Sequence, residues 1–191
     1  MPLSDPAPRE LLHTRQIQCR GFKRADGNWD IEAQMTDVRN YAFASPWRGE
    51  MAPGTPIHDM WIRVTIDGSL TILAIEAVTD QAPFRICPEI VPNFQLLVGL
   101  RIGPGFNARV RELVGGTKGC THLVELMGPI GTTAFQTMAE RYREAAGPRD
   151  PNEPPWRPPV IDTCHAFASD GELVQAEFPD FYTGPSSATA G

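Results

Sequence analysis

The sequence predicts an α+β fold: a twisted antiparallel sheet of about six strands in three hairpins, with two or three helices inserted between the second and third hairpins and packed on one face. Three observations carry this expectation. Asp-Gly pairs stand at 26–27, 67–68 and 170–171, and Asp-Gly between apolar runs is a strong hairpin signal because both residues tolerate the positive φ of tight turns. Strict two-residue alternation follows the first pair. After Cys120 the apolar spacing changes to three and four residues, as on one stripe of a helix.

In chain order, Leu11–Phe22 is the first strand. It alternates weakly and carries His13, Arg15 and Arg20. Its partner is clearer, with Trp29, Ile31, Ala33 and Met35 on one face and Asp30, Glu32, Gln34 and Thr36 on the other. The second hairpin pairs the segments around 60–66 and 70–77. Residues 91–100 and 106–113 read as short helices separated by Gly103-Pro104-Gly105. Leu123, Met127, Ile130, Ala134, Met138 and Tyr142 then mark a long helix that ends near Gly147, with Pro129 expected to kink it or start it afresh. Six prolines between 146 and 160 predict an extended connector. Ile161–Ala168 and Leu173–Phe178 are read as the last hairpin, and 184–191 as a disordered tail. Residues 1–183 would form a single domain.

Composition narrows the function. The 191 residues carry 17 Lys and Arg against 23 Asp and Glu, a net charge of −6, with the basic residues dispersed. A phosphate-backbone partner needs a basic patch, so nucleic acid is not expected. No run approaches a membrane span and no secretory pattern opens the chain, so neither a membrane partner nor export is expected and the location is read as cytoplasmic. Cys19, Cys87, Cys120 and Cys164 lie far apart without paired spacing, which reads as free thiols. A homo-oligomer is compatible with this composition.

Two segments hold the candidate chemistry. In 56–67, parity puts His58 on one face with Met60, Ile62, Val64 and Ile66, and Asp59 on the other, so Asp59 cannot orient His58 within a regular strand. A two-residue turn at Asp67-Gly68 would bring Thr71, Leu73, Ile75 and Ala77 to the His58 face, whereas a three-residue turn would bring Ile72 and Glu76 there instead. His58 can also be a core-edge histidine satisfied by a backbone carbonyl. In 114–123 a glycine-rich turn leads into the long helix, so free backbone N–H groups and the positive dipole end could hold an anion or an oxyanion. His122 in the first turn is biased towards neutral imidazole. The alternative is structural: Gly119 permits a tight entry, Cys120 fills a small gap and His122 helps cap. The glycine spacing does not fit a P-loop.

A zinc site competes with these. Cys120-x-His122 and Cys164-His165 look like ligand pairs, but a regular last hairpin would send Cys164 and His165 to opposite faces, so no metal and no other cofactor is expected. A thiol enzyme built on Cys120 and His122 meets a similar objection, since residues two apart on a helix diverge by roughly 200° unless the turn before the helix intervenes.

The succession from Arg20 to Glu32 around Asp26-Gly27, then PIHDM at 56–60, GCTHL at 119–123, and Asp162-Thr163-Cys164 with Asp170-Gly171 resembles the bacterial family known as domain of unknown function 2889, over residues 9–184. The resemblance implies recurring polar positions at Arg20, Arg24, Asp26, Trp29, His58, Asp59, Cys120 and His122, and a setting in which aromatic and acyl compounds are degraded. With the residue reading it gives the expectation of a cofactor-free, lyase-type acid–base enzyme for a largely apolar, even aromatic, small molecule. His58 and His122 would be its catalytic groups, and Arg20, Arg24, Trp29, Met60 and Cys120 would contact the substrate. The alternatives are a non-catalytic module that binds a small molecule or acyl group, and a zinc- or thiol-dependent enzyme using Cys120 and His122.

Overall fold

Strands β1 (His13–Lys23), β2 (Trp29–Arg39), β5 (Pro56–Ile66) and β6 (Ile72–Gln81) form a four-stranded antiparallel sheet in the order β1-β2-β5-β6. The computed structural model describes residues 3–141 and 157–185. A second, two-stranded sheet pairs β3 (Phe43–Ser45) with β4 (Gly49–Met51). Both of the first two expected hairpins form, and the α+β class holds. The chain divides into two compact units, Met1–Thr137 and Met138–Gly191.

Alternation in β2 has the expected consequence: Trp29, Ile31, Ala33, Met35 and Asp37 are buried, and the residues between them are half-buried. The buried face continues on β5 through Met60, Ile62, Val64 and Ile66. Register across the β5–β6 turn follows neither simple alternative. Ile66 pairs with Ile72 but Thr65 pairs with Ala74, so the extra residue at Leu73 makes a bulge. Ile72, Ile75 and Ala77 therefore all reach the inner face, while Glu76 stays outside and bonds Arg63. The His58–Glu76 pairing is not made.

The inner face is covered by α2 (Thr121–Thr137), which packs on β1, β2 and β5, while a 3-10 segment, Cys87–Leu97, packs on β6. Helix α1 (Phe106–Val114) packs on α2 and on that segment. Leu123, Leu126, Met127, Ile130 and Ala134 form the buried stripe of α2. The helix runs through Pro129 without restarting.

Helix α2 follows the direction of β1. Arg15 meets Glu125, Cys19 meets Thr133, and Gly21 lies against Thr137. Twelve helical residues rise about 18 Å and six strand residues about 20 Å, so the two elements stay in step. A Cβ on Gly21 would lie 1.8 Å from Thr137 Oγ1, so only glycine lets the helix come this close. This alignment puts the first turn of α2 over the start of β1, the end of β2 and the start of β5.

The third hairpin is a correction. In the second unit, His165–Phe167 is a 3-10 turn and Glu172–Glu177 is a short helix, α3, followed by a 3-10 turn at Pro179–Phe181. In the six residues Glu172–Glu177 the apolar side chains are Leu173, Val174 and Ala176; 174 and 176 fit a strand and 173 and 176 a helix, so the run is too short to choose. What decides is local: Asp162, at φ 65°, accepts the Ser169 N–H at 2.9 Å and holds the segment in a turn. Gly171 is extended and leads into a first helical turn that carries Glu172, the charge a helix N-terminus favours. The objection to zinc that rested on strand parity at 164–165 therefore lapses. The expected connector at 146–160 and the tail at 184–191 fall largely outside the described residues.

Candidate functional site

The apolar face of the sheet ends in a polar row. Arg15, Asp37 and His58 are direct cross-strand neighbours on β1, β2 and β5. Asp37 is 1% exposed and is the one buried charged residue among those described. Its Oδ1 accepts from His13 Nε2 at 2.9 Å and Arg15 Nε at 2.8 Å; its Oδ2 accepts from Arg15 Nη2 at 2.8 Å and His58 Nδ1 at 3.0 Å. A carboxylate offers about four lone-pair positions, and all are filled. Arg15 spans both oxygens as a fork, the strong geometry for a guanidinium and a carboxylate, and its Nη1 reaches Glu125 Oε2 on α2 at 2.6 Å.

His122 comes down from the first turn of α2. Its ring stacks on His58 with centroids 3.8 Å apart and planes inclined by 34°. Its Nε2 lies 3.9 Å from Asp37 Oδ2 and its Nδ1 lies 3.9 Å from Cys120 Sγ. Cys120 sits outside the helix, its carbonyl accepting the Val124 N–H, and its thiol is 3.8 Å from Met60 Sδ. The expected divergence of Cys120 and His122 is thus overturned, because the irregular turn carries the thiol back to the imidazole. One strand over, Thr79 pairs with Met60 and its buried hydroxyl has no hydrogen-bond partner.

Electrostatics set the protonation states. Burial alone would raise the Asp37 carboxyl, but the hydrogen bonds from Arg15 and His13, the Arg15 charge and His58 outweigh it and hold Asp37 well below the usual carboxylate range. The Asp37 bond in turn holds Arg15 above its ordinary value. His58 is pushed down by burial and then by His122, against the pull of Asp37. His122 is pushed down by burial and by Arg15. Both imidazoles are therefore neutral at pH 7. Since ionised Asp37 can only accept, the His58 nitrogen facing it carries the proton, and Nε2 keeps its lone pair.

Asp37, His58 and His122 offer donor atoms within 4.8 Å of one another, a spacing that a divalent cation can bridge. The acceptor positions of Asp37 are already occupied, and a cation would have to approach an oxygen held by the permanent charge of Arg15. Among the described residues of this unit Cys87 does not join the group.

A family model described as a protein of unknown function, DUF2889, matches residues 13–136. The chain belongs to the DUF2889 family. The match begins at His13 and takes in Arg15, Asp37, His58, Cys120, His122 and Glu125, every member of the polar cluster. No curated protein and no solved structure matches this DUF2889 chain.

The remaining sequence candidates lie elsewhere. Arg20 is on the opposite face of β1 and donates to Gln18. Arg24 is bound by Asp26 and Asp30 at the far hairpin end. Trp29 is buried in the same strand as Asp37 but eight residues away, roughly 26 Å along it. Met60 and Cys120 do adjoin the histidines. Sequence reasoning missed Asp37, although its signal was present: the alternation Trp29, Ile31, Ala33, Met35 carried one step further lands on a carboxylate at an apolar position. His13 and Arg15 had no such signal.

Proposed function

We propose that this DUF2889 protein is a lyase-type acid–base enzyme for a largely apolar small molecule, aromatic compounds included, in bacterial catabolism. The observation that carries the reading is the stack of His58 and His122 beside a fully bonded Asp37. Asp37 fixes the His58 ring with Nε2 as the basic atom. His122 is the partner that supplies or relays the second proton. A neutral imidazole serves both roles near pH 7. His58 is 14% and His122 23% exposed, so both can be reached from solvent while their surroundings stay largely dry. No metal is required for this proton traffic.

The test uses hydroxylated aromatic acids and β-substituted carbonyl compounds incubated with the protein in D2O. Wild type incorporates deuterium beside the carbonyl or eliminates the β-group, as read by proton NMR. Replacing His58 or His122 by Gln slows this by on the order of 10²–10⁴-fold with the fold retained. Equal rates in wild type and both variants overturn the reading.

A binding module is the second reading. It is favoured by a groove of about 340 Å³ between α1 and α2, lined by Asn107, Val110, Arg111, Thr121, Val124 and Glu125 among others. This volume suits a small ligand, but the groove is not lined by the imidazoles and shares only Glu125 with their cluster. Under this reading, compounds bind, Arg111→Ala weakens them, and no bond is made or broken.

A further inference from the structure

We infer that Cys120 is a nucleophile for activated acyl compounds, esters or thioesters of apolar acids, working through a Cys120–His122–Asp37 relay. The inference rests on the reading of this cluster as a reaction site and adds a covalent step to it. A nucleophile, a base within reach of it and a third group that orients the base form the general pattern of activated-nucleophile catalysis. Here Sγ stands 3.9 Å from His122 Nδ1, and the other nitrogen of that ring stands 3.9 Å from Asp37 Oδ2. The second separation is beyond hydrogen-bond reach, so Asp37 acts on His122 only by its charge, against the larger opposing charge effect of Arg15, and its oxygen nearest Nε2 favours the tautomer with the proton there. That tautomer leaves the Nδ1 lone pair facing the thiol.

The surroundings fit an acyl group. Cys120 precedes the first turn of α2, whose leading N–H groups have no partner within the helix and would meet a developing oxyanion. Met60, buried at 1% exposure, supplies an apolar wall beside Sγ.

In the first step Sγ attacks the carbonyl carbon as its proton passes to His122 Nδ1, and the carbonyl π pair moves onto oxygen. The oxyanion collapses, the bond to the leaving alcohol or thiol breaks, and the proton on His122 goes to that leaving group. An acyl thioester remains on Cys120. Water then attacks this carbonyl and gives a proton to His58 Nε2. Collapse releases the carboxylic acid and the Sγ thiolate, which takes a proton from His122 Nδ1 as His122, stacked on His58, is resupplied with the proton held on His58 Nε2. The balance is ester plus water giving acid plus alcohol, with no oxidant or reductant.

The experiment mixes the full chain with 4-nitrophenyl acetate, follows nitrophenolate release, and maps the acid-quenched protein by mass spectrometry. Wild type should show a burst of about one equivalent with one acetyl group on Cys120. Cys120→Ser, which conserves volume, and Cys120→Ala should both abolish the burst. His122→Gln should slow it on the order of 10²-fold or more. Cys19→Ser, Cys87→Ser and Cys164→Ser should leave it unchanged. Absence of an acetyl group in wild type, acetyl groups only on lysines or other cysteines, or a burst that survives Cys120→Ser would overturn the inference. Deuterium incorporation that persists in Cys120→Ser but is lost in His58→Gln would sustain the acid–base reading while removing this one.

Discussion

His58 Nδ1 donates to Asp37 Oδ2 at 3.0 Å across directly paired positions of two adjacent strands. The pair sits where the apolar face of the sheet gives way to polar side chains. Its geometry is set by backbone register, so it does not depend on a mobile loop to form.

Removing the charge at the centre should be costly. Asp37→Asn leaves the Arg15 guanidinium with Glu125 as its remaining carboxylate and offers an N–H group where Arg15, His13 or His58 needs an acceptor. Asp37 is buried but Arg15 is 35% exposed and keeps its bond to Glu125, so the loss should be about 1–3 kcal/mol, the cost of leaving buried polar groups unsatisfied. Urea unfolding of wild type and Asp37→Asn measures it, and a loss below about 1 kcal/mol would contradict the hub role given to Asp37.

Acid should act in two windows. Asp37 is held below the ordinary 3.8, so its contribution to stability is complete above that value and is lost as pH falls beneath it through the folded value. His58 and His122 are held below 6.5, so the unfolded chain takes up their protons first and stability declines as pH drops below 6.5. Thermal unfolding followed from about pH 8 down to pH 4 should show this decline, and His58→Gln should make it shallower. Stability that rises as pH falls from 6.5 would refute the neutral pair.

The approach of α2 to β1 yields a separate prediction. Gly21→Ala sets a methyl group against Thr137 and should destabilise the fold by about 1–3 kcal/mol through overpacking. Thr137→Ala in the same chain should recover part of the loss. Additive losses in the double variant would show that the two residues do not meet.

Much of this arrangement was legible in the sequence. Parity on β5 put His58 with Met60 and Ile62, and the onset of three-and-four spacing put His122 at a helix start. Two things were not legible. The alignment of α2 with β1 depends on a close approach at Gly21 that no local pattern announces, and it alone puts His122 over His58. The last hairpin is not decidable from the sequence, because six residues cannot separate a two-residue from a 3.6-residue period, and the turn there is held in part by a side-chain bond from Ser169 to Asp162 that no periodicity announces.

Metal binding offers a further check. With every acceptor position of Asp37 taken, extraction with a chelator should leave the melting temperature unchanged, and elemental analysis should find less than one equivalent of zinc. A full equivalent that disappears on replacing His58 or His122 by Ala would show that the cluster opens to admit a cation.

The most direct test is the position of the proton on His58. Long-range ¹H–¹⁵N correlation of the histidine side chains at pH 7 should show His58 neutral and protonated on Nδ1, with an unprotonated Nε2, and Asp37→Asn should abolish the preference for that tautomer. A His58 ring protonated on Nε2 or on both nitrogens would contradict the account, because no basic nitrogen would then be free to take a proton.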